Sequence, residues 1–272
     1  LIGSKDKIIE LYHTLDGHIG SSLDISTAQR TIRKSSKKYD TIFIKNLDVV
    51  KKMTGKFPSS IIVIDEKMKP FLFDNIKFAE ERKMHLTLRP VFQGGMPVET
   101  LNKNSLTDIY TSVFHHWFMK SNIAIEPGMV QKRLMKDKLY DDDFGYISGC
   151  NFQHNCATSS INLEPDGTLY VCLDMADGKH YPIGNAIKEE IYEDTFNLLM
   201  SRTEKLNKDC LSCNYFSACQ GGCMNEAIEQ KNDVFGKTEY CSTWKVMFKL
   251  IDESIEKFGE SNVKNWIKKL GI

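Results

Sequence analysis

Eight cysteines hold most of the chemistry available to this sequence. All of them, Cys150, Cys156, Cys172, Cys210, Cys213, Cys219, Cys223 and Cys241, lie beyond position 149. Five residues separate Cys150 from Cys156, and fifteen separate Cys156 from Cys172. After a gap of 37 come Cys210-x2-Cys213-x5-Cys219-x3-Cys223, and seventeen more residues precede Cys241. Eight thiols make two sets of four, and four thiolates satisfy either a tetrahedral zinc or a [4Fe-4S] cluster. A zinc ribbon repeats its Cys-x-x-Cys knuckle. Here the knuckle occurs once, and the uneven intervals suggest that neighbouring cysteines serve different centres. A two-zinc structural module is the alternative that the count leaves open.

The elements that must position these thiols belong to a globular chain. Its 272 residues are 41% hydrophobic and 26% charged, enough for one large or two modest cores. With 36 basic and 36 acidic side chains there is no global field to attract nucleic acid or a membrane surface. No apolar run approaches the roughly 20 residues of a membrane span, and "LIGSKDKIIE" lacks the apolar centre of a signal peptide. The expectation is therefore a cytoplasmic protein with neither a nucleic-acid nor a membrane partner. In that compartment thiols stay reduced and a cysteine cluster binds metal rather than forming disulfides.

Residues 1–120 alternate helical and strand patterns. "KDKIIELYHTL" has helical spacing, "HIGSSLD" reads as a short strand, and "YDTIFIKNLDVVKKM" is helical again. "SSIIVID" is a β-branched run suited to a buried parallel strand; the helix-like "PFLFDNIKFAEERK" and a further strand, "MHLTLRPVF", follow. This order predicts an α/β fold with three parallel strands, and "SLTDIYTSVFHHWFMKS" adds a helix. Residues 121–149 read as a connector with little regular structure. Beyond it, "SSINLEPDGTLYVC" places two alternating segments around Pro-Asp-Gly, a hairpin signal. Residues 242–272 read as one or two amphipathic helices, with Trp244, Phe248, Ile251 and Ile255 on one apolar face.

At this point the residues carry a resemblance. Cys156, Gly167 and Cys172, then Cys210-x2-Cys213-x5-Cys219-x3-Cys223 and Cys241, with "DGTLYVC", "YPIGN" and "CQGGC", resemble the SPASM domain of radical S-adenosylmethionine enzymes over residues 150–241. Cys150 completes the eight-cysteine form of anaerobic sulfatase-maturating enzymes. The resemblance implies one auxiliary [4Fe-4S] cluster on Cys150, Cys156, Cys172 and Cys223, and another on Cys210, Cys213, Cys219 and Cys241. Residues 1–120 are similar to the C-terminal half of a radical S-adenosylmethionine (β/α) barrel, its strands four to six. Ser22, Asp24, Arg30 and Arg89 would then line the S-adenosylmethionine pocket at the strands' C-terminal ends; capping or solvated side chains are the plainer account of these four.

The resemblance implies a maturase that abstracts a hydrogen atom from a peptide or protein substrate, fed by an electron donor such as flavodoxin or ferredoxin. The family's Cys-x3-Cys-x2-Cys, which holds the third cluster and cleaves S-adenosylmethionine, does not occur in these residues. Together with the start at Leu1, this leads us to expect an N-terminal portion outside them; a non-catalytic iron–sulfur electron-transfer or peptide-binding protein is the alternative. Sulfatase maturases place an Asp directly after the third auxiliary cysteine. Here Leu173 stands there and Asp174 follows, so on a strand this candidate base would face the opposite side, and a maturase of ribosomal peptides fits equally well. His154 is a candidate donor to a cluster sulfur. His115, His116 and His180 read as surface or packing residues, and Met224 and Met247 as core filler.

Overall fold

The computed structural model describes residues 3–16, 19–27, 30–91, 101–126, 129–135, 140–141, 145–146, 150–153 and 155–271, with backbone alone at 126, 140–141, 145–146 and 150. The chain divides into two compact units. One is built from Leu1–Val91, Glu99–Glu126 and Ser261–Ile272, the other chiefly from Pro127–Glu260.

In the first unit α1 (Lys5–Thr14) and β1 (Ser21–Ser22) precede α2 (Ser36–Thr54), which buries Tyr39, Phe43, Leu47 and Val50 at intervals of three and four residues. Ser35 starts α2 by accepting the Lys38 N–H, and Gly55, with φ +78°, ends it in the left-handed region where glycine carries no side-chain penalty. β2 (Ser60–Ile64), α3 (Leu72–Arg82), β3 (Leu86–Pro90) and α4 (Lys103–Trp117) follow. The strands form a parallel sheet in the order β1-β2-β3-β4. Its fourth member, β4 (Ile125–Glu126), falls in the stretch expected to be connector, so the sheet has one strand more than the pattern indicated. β2 also differs from the expectation of full burial. Ser60, Ile62 and Ile64 are buried, whereas Ile61 and Val63 are 40% and 43% exposed, so among the described residues one face of the strand is covered and the other is partly open.

The second unit opens with α5 (Met129–Met135) and the short hairpin of β5 (Tyr140–Asp141) and β6 (Gly145–Tyr146), further regular structure within the supposed connector. β7 (Asn162–Leu163) and β8 (Thr168–Tyr170) pair antiparallel around Pro165-Asp166-Gly167, as expected. With β9 (Gly184–Asn185) and β10 (Glu190–Ile191) they make a sheet in the order β10-β9-β8-β7. Between β8 and β9 lies α6 (Leu173–Asp177). Then come α7 (Glu193–Met200), the single turns α8 (Arg202–Lys205), α9 (Lys208–Leu211) and α10 (Phe216–Cys219), and α11 (Met224–Lys231).

α12 (Cys241–Phe258) buries Trp244, Met247, Phe248 and Ile251, each contributing about 1.5–3 kcal/mol if fully removed from water. α5 lies along α12, where Arg133 donates twice to Asp252 at 2.7 and 2.8 Å. α13 (Glu260–Lys269) returns to the first unit. There the Trp266 ring meets Trp117 at 4.7 Å and Phe118 at 5.3 Å, and its Nε1–H donates to the Ser121 carbonyl. Among the described residues no helix is long and apolar enough to cross a membrane.

Candidate metal centre

The segment from Cys210 to Cys223 is wound by its own backbone. Asn207 caps α9 by accepting the Asp209 N–H, the Cys213 N–H donates to the Cys210 carbonyl at 3.0 Å, and the Phe216 N–H donates to the Cys213 carbonyl at 2.9 Å. After Cys219 the chain takes three successive left-handed residues, Gln220, Gly221 and Gly222, with φ of 53°, 82° and 71°. Two are glycine for a reason visible in the packing. A Cβ on Gly221 would stand 2.8 Å from Leu206, and one on Gly222 would stand 2.4 Å from Thr238. Thr238 in turn donates its N–H to the Gly221 carbonyl and accepts the Cys241 N–H at its own carbonyl, 3.2 Å away. This lock brings Cys241 back to the loop across seventeen residues.

As a result Cys210, Cys213, Cys219 and Cys241 line one cavity of about 370 Å³, part of it open to solvent. Tyr215, Trp244 and Phe248 wall it, and the Lys237–Asp209 ion pair, 2.9 Å, lies at its edge. No disulfide links these four cysteines. Burial pushes the Cys219 thiol up to about 12, the charges of Cys241 and Cys210 adding to the effect and a hydrogen bond from the Gly221 N–H opposing it. Cys210 is raised by burial and by Cys241, against the pull of Arg202 and Lys237. A metal must therefore displace protons to bind here.

The donor set suits either of the two metals that the cysteine count allows. A zinc site needs four sulfurs about 2.3 Å from a single point. Among the described residues no three His, Cys, Asp or Glu side chains converge closely enough to hold one ion. Four cysteines lining one cavity are also the donor set that a [4Fe-4S] cluster takes.

The other cysteines occupy turns and helix starts. Cys156 begins the 3₁₀ turn Cys156–Thr158, Cys172 precedes α6, and Cys223 precedes α11. Cys156 and Cys172 pack against one apolar cluster that includes Val171, Met175, Leu199 and Met224. Cys156 and Cys223 both act electrostatically on the buried Arg202, as does Cys210. The side chain of Cys150 and the whole of His154 lie outside the described residues. Asp174 is placed differently from the expectation. It sits half-buried in the first turn of α6, so the alternation of strand faces does not govern where it points. His180 pairs with Glu229 at 2.8 Å and His116 with Glu80 at 3.1 Å, while His115 is an exposed residue of α4.

In the first unit Ser22, Asp24 and Arg30 line one hollow with Ile61 and Val63. Asp24 is 8% exposed and accepts from Arg30 Nε and, at 3.3 Å, from the Tyr39 hydroxyl. Burial, then the Asp24 charge, pushes Tyr39 up to about 12. Arg89 pairs in register with Val63 on the neighbouring strand and so shares that sheet face, without lining the hollow itself. Tyr39 and Asp40 were not singled out in the sequence. Their signal, two polar groups in the first turns of an amphipathic helix, is one that solvated residues share. Asp40 accepts the Ser26 N–H on Oδ2, while its buried Oδ1 has no hydrogen-bond partner among the described residues.

No protein-family model matches the chain. Curated relatives include the cysteine-type anaerobic sulfatase-maturating enzymes of two Clostridium perfringens strains. One is 26% identical over 153 residues, 55% of this chain and 40% of the relative; the other is 26% identical over 108 residues, 38% of this chain and 29% of the relative. The matches thus span less than half the length of those relatives. Among solved structures, native anSMEcpe with bound AdoMet aligns with a TM-score of 0.72 at 17% identity, covering 98% of this chain and 73% of that one. Native anSMEcpe with bound AdoMet and a peptide gives 0.72 at 17%, covering 97% and 74%. At such identities the structures share a fold with this chain.

Proposed function

We propose, for a chain that resembles the radical S-adenosylmethionine sulfatase maturases in sequence and shares their fold, that it forms part of a radical S-adenosylmethionine/SPASM maturase of peptides or proteins. The observation that carries this reading is the cavity lined by Cys210, Cys213, Cys219 and Cys241, cysteines drawn from two stretches of chain. These four would hold one auxiliary [4Fe-4S] cluster, and Cys150, Cys156, Cys172 and Cys223 a second. Iron–sulfur groups bound there supply one-electron transfer.

The chain's own residues do the rest. Trp244, Phe248 and Tyr215 keep water from the buried side of the cavity, and the Gly221 N–H steadies the Cys219 sulfur. In the first unit the Asp24 carboxylate, held by Arg30 and Tyr39, and the Ser22 hydroxyl present polar groups suited to the hydroxyls and charges of S-adenosylmethionine. Arg89, on the same sheet face, would complete that pocket. Asp174, two residues past Cys172, would accept the proton released from an oxidised substrate carbon. Radical initiation requires a Cys-x3-Cys-x2-Cys motif that these residues do not contain. A cytoplasmic setting with flavodoxin or ferredoxin as reductant belongs to the same reading.

Anaerobic reconstitution with iron and sulfide, followed by metal analysis, is the test. About eight irons per chain with matching sulfide are expected. A colourless protein that takes up zinc instead would refute the proposal.

A further inference from the structure

Arg202 opens α8 and is 3% exposed. Its guanidinium donates to the Val234 carbonyl and, at 3.3 Å, to the carbonyl of Gly221, the residue midway between Cys219 and Cys223. Arginine cannot shed its proton in a protein, so this charge is permanent. Among the described residues it makes no ion pair with a carboxylate. The acidic groups placed to act on it are the thiols of Cys156, Cys223 and Cys210, together with Asp233. The two carbonyl bonds engage N–H donors of both terminal nitrogens without neutralising the ion, and a buried charge with no counter-ion is strongly disfavoured. The three cysteines named come from both proposed sets, two from one and one from the other.

We infer that Arg202 is a shared counter-charge for both cysteine sets, a fixed cation against the Gly221 carbonyl that raises the reduction potential of whatever cluster either set holds. The inference rests on the reading that the sets bind iron–sulfur clusters. Adding an electron makes a cluster more negative, and a nearby cation stabilises that state, so its removal lowers the potential. A purely structural arginine predicts no such common shift.

The test uses anaerobically reconstituted full chain, titrated with dithionite and followed by electron paramagnetic resonance. Arg202→Gln keeps an N–H donor for the carbonyls but removes the charge, and Arg202→Lys keeps the charge but not the fork. Both midpoint potentials should fall together in Arg202→Gln and recover in Arg202→Lys. Potentials unmoved in Arg202→Gln, or only one of the two displaced, would overturn the inference while leaving the clusters in place. If Arg202→Gln holds no iron, Arg202→Lys decides. Clusters at wild-type potentials support the shared charge, and loss of iron in this variant too overturns it in favour of fork geometry. Wild-type protein that takes up no iron would instead overturn the cluster reading, and this inference with it.

Discussion

Replacing Gly222 with alanine tests how the cysteine loop is locked. The residue has φ +71°, and the added methyl would stand 2.4 Å from Thr238 Cγ2 and 2.6 Å from Thr238 Cβ. Thr238 has little room to yield. It is 2% exposed, its hydroxyl donates to Glu226, and its N–H is bonded to the neighbouring Gly221. A side chain in the left-handed region costs about 1 kcal/mol, and forcing a methyl into a filled site costs ~1–3 kcal/mol more, so the variant should lose about 2–4 kcal/mol. Gly55→Ala separates the two contributions, because Gly55 has φ +78° with nothing within 4 Å of its added Cβ. That variant should lose only the backbone share, about 1 kcal/mol. Equilibrium urea unfolding of the metal-free protein under reducing conditions, followed by far-ultraviolet circular dichroism and tryptophan fluorescence, measures both. Gly222→Ala should also bind less iron, since Cys219 and Cys223 flank the displaced residue. A Gly222→Ala protein as stable as Gly55→Ala would refute the steric argument.

Three further outcomes are expected. Cys223→Ala should lose the cluster assigned to Cys150, Cys156 and Cys172 while Cys241→Ala loses the other, as read by iron content and electron paramagnetic resonance; the reverse pattern would overturn the assignment. Asp40→Asn should stabilise the protein at neutral pH. Burial raises the Asp40 pKa above its ordinary value, so the wild type loses stability as pH rises through that folded-state pKa, and the variant's advantage should shrink as pH falls below it in urea titrations at several pH values. Arg133→Gln removes a two-pronged, partly solvated bond to Asp252 and should cost about 1 kcal/mol in the same assay.

Much of the first unit was legible because its elements are long enough to show a period. Tyr39, Phe43, Leu47 and Val50 mark α2 in the sequence as clearly as in the fold, and in the second unit Pro165-Asp166-Gly167 marks the β7–β8 hairpin because the turn requires Gly167 at φ +85°. β4 escaped because two residues show no alternation, and α6 because five helical residues follow directly on a strand-like run. The partly open face of β2 escaped for another reason. A β-branched run looks the same whether one or two faces are covered, and only the neighbouring elements decide. At the candidate metal centre the spacing marked the thiols but could not show that Thr238 carries Cys241 back to the loop. Arg202 had no signal at all, since a buried arginine and a solvated one are the same letter.

The path of α13 has a consequence for biosynthesis. Trp117 and Phe118 are covered by Trp266, so the aromatic seam of the first unit joins residues nearly 150 positions apart, with the second unit's residues strung between them. A ribosome delivers Trp117 long before Trp266. Until Val263 to Leu270 emerge, Trp117 and Phe118 of the nascent first unit lack the ring that covers them, while Phe114 already packs against both. The chain therefore cannot finish its units in the order in which it is written.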